Sequence, residues 1–543
     1  MATTSNQPAG EPTNNGGARL MGWVLPRAGA LPLSPPLAFG GAVLSGILYW
    51  LAFPGVDAWP LAFVAWVPLI VAMHRQPTSR ALQIGWVAGI TMNVGGFAWL
   101  QPFLRTFSGF PLPVCLLFSL IICAYQGGRI ALLGWLYGRG TARGRPWPAT
   151  FALAFVASEL LFPLLFPWYY AATVHSVPAL VQLADIGGPI LVGLSLVGPN
   201  LAIAEIALAF FERRPLKRGP VWAGASALAI TGVYGAARIR SIDASARAAP
   251  ASTVGIVQAD MGLIEKRSEF GEGLRRHLQL SQELKARQVD FLVWSETSAM
   301  RAVRDESFRV ELHGLAQRIG LPTLFGAVIV KVVPDARTYV LFNSAIAADA
   351  SGTIGSRYDK EYLLTFGEYL PFGDTFPILY KWSPNSGHFT PGTSLDPLVL
   401  DVRGTPRRIS ALICYEDILP RFTNDAVRQG KPELLVNMTN DAWFGETAEP
   451  WEHLALSQFR AIEHRRYLVR GTNSGVSAVV DPVGRVVLHG RTFRQEALSS
   501  TIHWMQSQTV YEVLGDWPWL LASAVAGMLA FRRRSAPKAS LPS

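Results

Sequence analysis

Hydrophobic residues are not spread evenly along this chain. After a polar opening, apolar runs of bilayer length follow one another with short polar breaks, at about 37–53, 58–73, 81–100, 110–137, 149–170, 189–211 and 220–237. A helix needs roughly 20 apolar residues to cross a bilayer, so these runs predict seven membrane-spanning helices, the first two short for the task. An eighth run, about 517–531, lies near the C-terminus. Between these stretches, from about 240 to 515, the pattern changes. Strand-like runs (TVGIVQAD at 253–260, DFLVWSET at 290–297, PTLFGAVIV at 322–330, VLFNSAIAAD at 340–349, RISALICYE at 408–416, ELLVNMTND at 433–441, GVSAVVDPVGRVV at 475–487) are interleaved with helix-like segments at 271–289, 305–319 and 452–469. Such alternation predicts an α/β layered domain with helices covering the sheet.

Composition agrees with a mixed object. Half of the 543 residues are hydrophobic and 16% are charged, with a mean hydropathy of +0.25. That is too apolar for an ordinary soluble protein and too charged for membrane helices alone. A net charge of +10 raises nucleic acid or anionic lipid as partners. The basic residues, however, sit in loops and flanks rather than in one run, and membrane topology accounts for them without nucleic acid. Arg75 and Arg80, then Arg139, Arg143 and Arg145, then Arg213, Arg214, Lys217 and Arg218 occupy alternate breaks. Arg532, Arg533, Arg534 and Lys538 follow the last run, whereas 54–60 and 171–188 carry no Lys or Arg and 101–109 has Arg105. Positive charge stays cytoplasmic, which puts both termini inside and the large domain outside, in the periplasm of a Gram-negative cell. The expected organisation is a disordered cytoplasmic segment at 1–30, seven helices over 31–240, an extracytoplasmic domain over 241–515, a last spanning helix at 516–532 and a basic cytoplasmic tail at 533–543. Arg129, Glu159 and Glu205 fall within spans, where ionisable groups are costly. They read either as a headgroup or transport path or as internal pairs, Arg129 with Glu159.

Of three cysteines, Cys115 and Cys123 lie in an apolar run, and no disulfide or zinc spacing is present. Cys414 stands apart. It ends the apolar run ALIC and precedes Tyr415, Glu416 and Asp417. A lone cysteine there is either a packing residue or a nucleophile, and a nucleophile needs a base and a site for negative charge. Backbone N–H groups at a strand-to-helix junction can hold an oxyanion. Glu296 ends LVWSE, where partial burial makes an acid into a base suited to near-neutral pH. Lys360, among the aromatic and apolar residues of SRYDKEYLLTFGEYLPF, could stabilise developing negative charge. Singly, each reads as a solvated surface residue. Together they place an acid, an ammonium and a thiol on three strand–loop junctions.

The strings WSET, YDKEYLLTFGEYLPF, ICYED and NMTNDAWFG resemble the nitrilase superfamily, and the trio resembles its Glu–Lys–Cys triad. With the flanking spans, and with LLFPWYYAATVHSVPALVQLADIGG at 164–188, the chain over about 30–535 is similar to the bacterial apolipoprotein N-acyltransferases. The resemblance implies a polytopic bundle of seven plus one spans carrying an extracytoplasmic α-β-β-α nitrilase-like sandwich, in the bacterial inner membrane and as a monomer. It implies an acyl transfer without metal or organic cofactor. Cys414 would take an acyl chain from the sn-1 ester of a phospholipid, phosphatidylethanolamine foremost, and pass it to the α-amine of a diacylglyceryl-modified N-terminal cysteine on an apolipoprotein, the last step of lipoprotein maturation. Glu296 would be the general base and Lys360 the oxyanion's partner, with a backbone N–H near Tyr415. Glu368 would orient Lys360 or share the base's proton network, and Glu416 would position a loop or the incoming amine. Tyr415 follows the nucleophile, Trp443 would line the acyl or headgroup pocket, and Asn343 would support the triad by hydrogen bonding. After GIVQAD the family often reads Lys-Trp, where this chain has Lys266 and Arg267; that departure touches substrate gating rather than the chemistry. The apolar, Pro/Gly-rich stretch 362–395 reads as a lid meeting the headgroup layer. Two rival readings use the same residues differently: a membrane-anchored amidase in which water replaces the amine, and a transporter or sensor with a nitrilase-like lid.

Overall fold

The computed structural model describes residues 31–262, 270–299, 301–333, 338–365, 367–382 and 386–532. The expected N-terminal and C-terminal tails, Lys266, Arg267 and parts of the 362–395 stretch lie outside them. The first half is helical: α1 (Pro35–Leu51), α2 (Val67–Met73), α3 (Thr78–Gly96), α4 (Leu100–Ser108), α5 (Leu112–Ala142), α6 (Trp147–Leu161), α7 (Ala184–Glu212) and α8 (Arg218–Ala248). The second predicted span is not one helix. A 3-10 turn at Trp59–Phe63 precedes α2, and each piece starts with a proline in its first turn, where the missing N–H costs nothing. The fifth is shorter than predicted, because α6 stops at Leu161 and extended chain follows. The seventh is longer, α8 running on to Ala248. Among the described residues two helices, α5 and α7, are by themselves long and apolar enough to cross a membrane; Pro35–Leu51, Trp59–Met73, Trp147–Leu161 and Trp517–Phe531 are apolar but shorter.

Close backbone approach packs this half. A Cβ placed on Gly85 or Gly89 of α3 would collide with the backbone of Ile130 or Gly127 on α5, the role small residues play between membrane helices. Helix α7 is broken at Gly187 and Gly188, the latter at φ 63°. The indole of Trp519 donates to the freed Gly187 carbonyl at 2.9 Å. Arg129 is an internal pair. Its guanidinium donates to Glu159 at 2.6 Å, to the Trp168 carbonyl at 2.7 Å and to the Tyr49 hydroxyl at 3.1 Å. Glu205 is likewise held, by Arg214 and by the Lys217 N–H.

Among the described residues the second half has thirteen strands in two mixed sheets. One runs β13 (Glu496–His503), β1 (Ala251–Gln258), β2 (Phe291–Val293), β4 (Thr323–Val333), β5 (Thr338–Ala348), β6 (Ile354–Asp359), with β3 (Ala302–Arg304) on β4. The other runs β12 (Val486–His489), β11 (Ala478–Val480), β10 (Leu468–Thr472), β9 (Leu434–Thr439), β8 (Thr405–Ile413), β7 (Leu398–Val402). Val254, Ile256 and Val293 of the first sheet share a core with Ile409, Val436 and Val469 of the second, so the sheets stack face to face. Helices α9 (Phe270–Ala286) and α10 (Phe308–Ile319) cover the outer face of one, and α11 (Pro420–Gly430) and α12 (Glu449–His464) that of the other. The α-β-β-α layering expected above is present. A last helix, α13 (Trp517–Phe531), returns to α6 and α5.

The two halves are welded. Ile418, Phe444, Leu456, Phe459 and Ile462 belong to the core of the helical half. Polar pins reinforce this: Asp185, at the start of α7, accepts from Tyr234 and Arg238 at 2.7 Å each and from Arg465 at 2.7 Å. Asp185 and Arg465, both buried, are therefore paired, as burial demands.

Candidate active site

Three strand ends converge. Glu296 lies three residues past β2, Lys360 directly follows β6, and Cys414 directly follows β8. Alternation along a strand ends at its last pleat, so a residue just beyond it can turn into the space between layers. Cys414 opens a 3-10 turn, Cys414–Ile418, with its backbone in the left-handed region at φ 52°. That conformation costs a side-chain-bearing residue about 1 kcal/mol or more and is paid where it presents the thiol. Asn437 on β9 holds the turn by donating to the carbonyls of Leu412 and Cys414 at 3.2 and 3.0 Å.

Lys360 is 1% exposed. Its ammonium lies 2.6 Å from Glu368 and 3.9 Å from Glu296. Burial works against its charge, but Glu368, Cys414 and Glu296 outweigh it and hold the lysine above its usual range. Asn343 on β5 bridges the carboxylates, donating to Glu296 at 2.6 Å and Glu368 at 2.9 Å. Glu368 also accepts the Leu364 N–H at 2.8 Å. Burial pushes the Cys414 thiol well up, with Glu296 adding to it and Lys360 opposing it. The resting sulfur is thus a thiol that needs a base at the moment of attack.

Glu416 is fully buried. One of its oxygens accepts the Tyr358 hydroxyl at 2.8 Å and the Glu361 and Tyr362 N–H groups at 2.9 and 3.0 Å; the other accepts the Ile413 N–H at 2.7 Å. It ties the loop bearing Lys360 to the strand bearing Cys414. Burial pushes its acid up to about 7, against Lys360 and those N–H groups. Tyr415 donates to the Leu165 carbonyl at 2.9 Å and stacks on Tyr362.

The thiol faces a narrow pocket of about 40 Å³ whose far wall comes from the helical half: Phe97, Trp99, Phe166 and Trp168, with Leu364 and Phe444 beside them. Phe444 lines this pocket, while the neighbouring Trp443 packs against the helical core. A wall of this chemistry suits hydrocarbon.

A buried polar cluster behind the nucleophile's turn is not legible in the sequence. His453 on α12 bridges Asp417 at 2.8 Å and Asp441 at 3.3 Å, and Arg470 on β10 pairs with Asp417. Asp441, Glu449 and His453 bring ligand atoms within 4.8 Å of one another, a grouping a metal could use. Here the imidazole is already held between Asp417 and Asp441, Arg470 supplies a second positive charge, and burial pushes the Glu449 acid well above its usual range, so the cluster balances without an ion. Burial and Arg470 disfavour a charged His453, yet Asp417 and Asp441 hold its proton up to about 10. The folded protein binds this proton more tightly than the unfolded chain. Its contribution to stability is complete below pH 6.5 and is lost as pH rises towards 10. The gap in melting temperature between the unsubstituted protein and His453→Gln should therefore shrink across that window; a constant gap would contradict it.

Residues 45–202 match the family described as apolipoprotein N-acyltransferase N-terminal domain, and 253–511 match the carbon-nitrogen hydrolase family. An apolipoprotein N-acyltransferase of Azotobacter vinelandii is 30% identical over 509 residues, covering 91% of this chain and 95% of that one. One from Geobacter metallireducens is 29% identical over 511 residues, with the same coverage. Among solved structures, an amidase from Nesterenkonia sp. AN1 in complex with acrylamide is 19% identical, with a TM-score of 0.35, covering 46% of this chain and 90% of that one.

Proposed function

The chain belongs to the apolipoprotein N-acyltransferase family, and from that premise we propose that Cys414 carries the acyl group between a membrane phospholipid and the α-amine of a lipid-modified N-terminal cysteine on an apolipoprotein. One observation carries the reading: a carboxylate, an ammonium and a thiol meet at the mouth of an aromatic pocket half built by the apolar helices.

In the first half-reaction Glu296 takes the Cys414 proton and the sulfur attacks the sn-1 ester carbon. The oxyanion forms beside Lys360 and the backbone N–H groups that follow Cys414. Collapse breaks the ester bond, and the departing lysophospholipid oxygen takes the proton from Glu296. In the second, the acceptor amine attacks the thioester carbon and Glu296 takes the amine's proton. Collapse expels the thiolate, which is reprotonated, and an amide remains. Asn343 and Glu368 fix the base and the ammonium; Glu416 fixes the loop that bears Lys360. Phosphatidylethanolamine is the proposed donor, and the enzyme works as a monomer.

The helical half lies in the bacterial inner membrane as seven spans before the catalytic domain and one after it, with that domain on the periplasmic face. Phe372, Phe376 and Ile378 are exposed apolar residues on the stretch assigned above as a lid, and they meet the headgroup layer. The arrangement brings a bilayer-bound donor and a lipid-anchored acceptor to one thiol without extracting either from the membrane.

The test is mass spectrometry of purified protein incubated with phosphatidylethanolamine bearing an isotopically heavy sn-1 chain. A heavy acyl adduct on the Cys414 peptide should appear, and a diacylglyceryl-cysteine peptide should discharge it as an amide. Release of free fatty acid at the same rate with and without that peptide would favour the amidase reading instead.

A further inference from the structure

A second cavity lies on the other side of the turn that carries Cys414. It holds about 1080 Å³ of unfilled space, part of it open, and its apolar wall includes Leu160 of α6 and Pro189 and Ile190 of α7. Its polar wall is Arg421 and Asp425 of α11 and Asp516, just before α13, together with Tyr169 and with Glu159, whose charge Arg129 already holds. Arg421 and Asp425 are exposed and stand four residues apart on one helix, a spacing at which opposite charges usually pair. Among the described residues neither closes an ion pair. Asp516 accepts the Tyr511 hydroxyl at 3.2 Å. Arg421, Asp425 and Asp516 thus face one cavity from two elements.

The cavity adjoins the reacting centre. Tyr362 lines it and stacks on Tyr415. Leu419 lines it at the end of the 3-10 turn that starts at Cys414. A rise of about 2 Å per residue puts Leu419 on the order of 10 Å from Cys414. That separation is comparable with the reach from a phospholipid's sn-1 ester to its headgroup. Tyr415 lines the aromatic pocket and its stacking partner Tyr362 lines this cavity, so the two rings link the two spaces.

We infer that this cavity binds the donor's headgroup, Arg421 receiving the phosphate and Asp425 with Asp516 receiving a primary ammonium. The inference rests on the reading of Cys414 as the acyl-carrying thiol. With Glu159 paired to Arg129, one cation against two carboxylates matches a zwitterion and disfavours a headgroup whose charge is negative throughout. The site therefore selects amine-bearing phospholipids over anionic ones.

The test offers the purified protein equal amounts of phosphatidylethanolamine and phosphatidylglycerol whose sn-1 chains differ in isotope, and reads the ratio of the two Cys414 adducts. Asp425→Asn/Asp516→Asn should lower the ethanolamine-to-glycerol ratio about fivefold or more, and Asp425→Asn alone, at an exposed position, should move it the same way. Arg421→Ala should raise KM for both donors about tenfold with kcat little changed, and Arg421→Lys should recover part of it. An unchanged ratio in both asparagine variants overturns the assignment and leaves the Cys414 chemistry standing. So does an Arg421→Ala variant whose KM rises for the acceptor peptide rather than the donor. Absence of any adduct on the unsubstituted protein brings down the Cys414 reading and this assignment with it.

Discussion

Replacing Cys414 by alanine should abolish both the acyl adduct and N-acyl transfer, and serine should leave about 10⁻⁴ of the rate or less. The reason is specific to this site. A serine hydroxyl is far less acidic than a thiol, and burial and Glu296 already disfavour an anion at this position. A base matched to a thiol cannot deprotonate it. Fold should survive, because the turn is held through backbone carbonyls by Asn437 and neither substitution adds bulk. The check is a two-part assay: mass spectrometry of the adduct, and transfer to a diacylglyceryl-cysteine peptide, on variants whose melting temperature is unchanged. Alanine with undiminished transfer would mean that the thiol is a packing residue.

Much of this was legible from residue order, for physical reasons. The three residues proposed as a triad stood out because each sits just past an apolar run, where a strand stops and a polar side chain stands out. The helical half was legible as runs, but not in its breaks. Nothing in AFVAWVPL announces that the chain bends between Phe63 and Val67, since prolines also begin helices that continue. Strand β10 was hidden because Leu468 and Val469 extend the apolar period of α12. The helix in fact stops at His464, where buried Arg465 takes φ 52° and reaches Asp185 across the domain junction. The His453 cluster was hidden for a different reason. Asp417, Asp441, His453 and Arg470 come from four separate elements, and each alone reads as a surface residue. Only tertiary packing turns them into a balanced buried set.

Lys360→Met should be the second severe lesion, lowering acylation of Cys414 about 10³-fold or more. Two losses combine. The oxyanion loses its cation in a site with little water to replace it, where a fixed charge is worth most. The two carboxylates also lose the charge between them. Glu296 and Glu368 both contact Lys360 and share Asn343; without the ammonium, two negative charges at that spacing cannot both persist, and one takes up a proton. A protonated Glu296 cannot accept the thiol's proton. Residual activity should therefore rise with pH further into the alkaline range than in the unsubstituted protein. Adding Glu368→Gln should cancel part of that displacement by removing the competing carboxylate, without restoring the rate. The decisive measurement is the pH profile of Cys414 acylation in the single and double variants. A single variant that keeps the original profile at a reduced rate would show that Lys360 serves the oxyanion alone, and that Glu296 holds its charge without it.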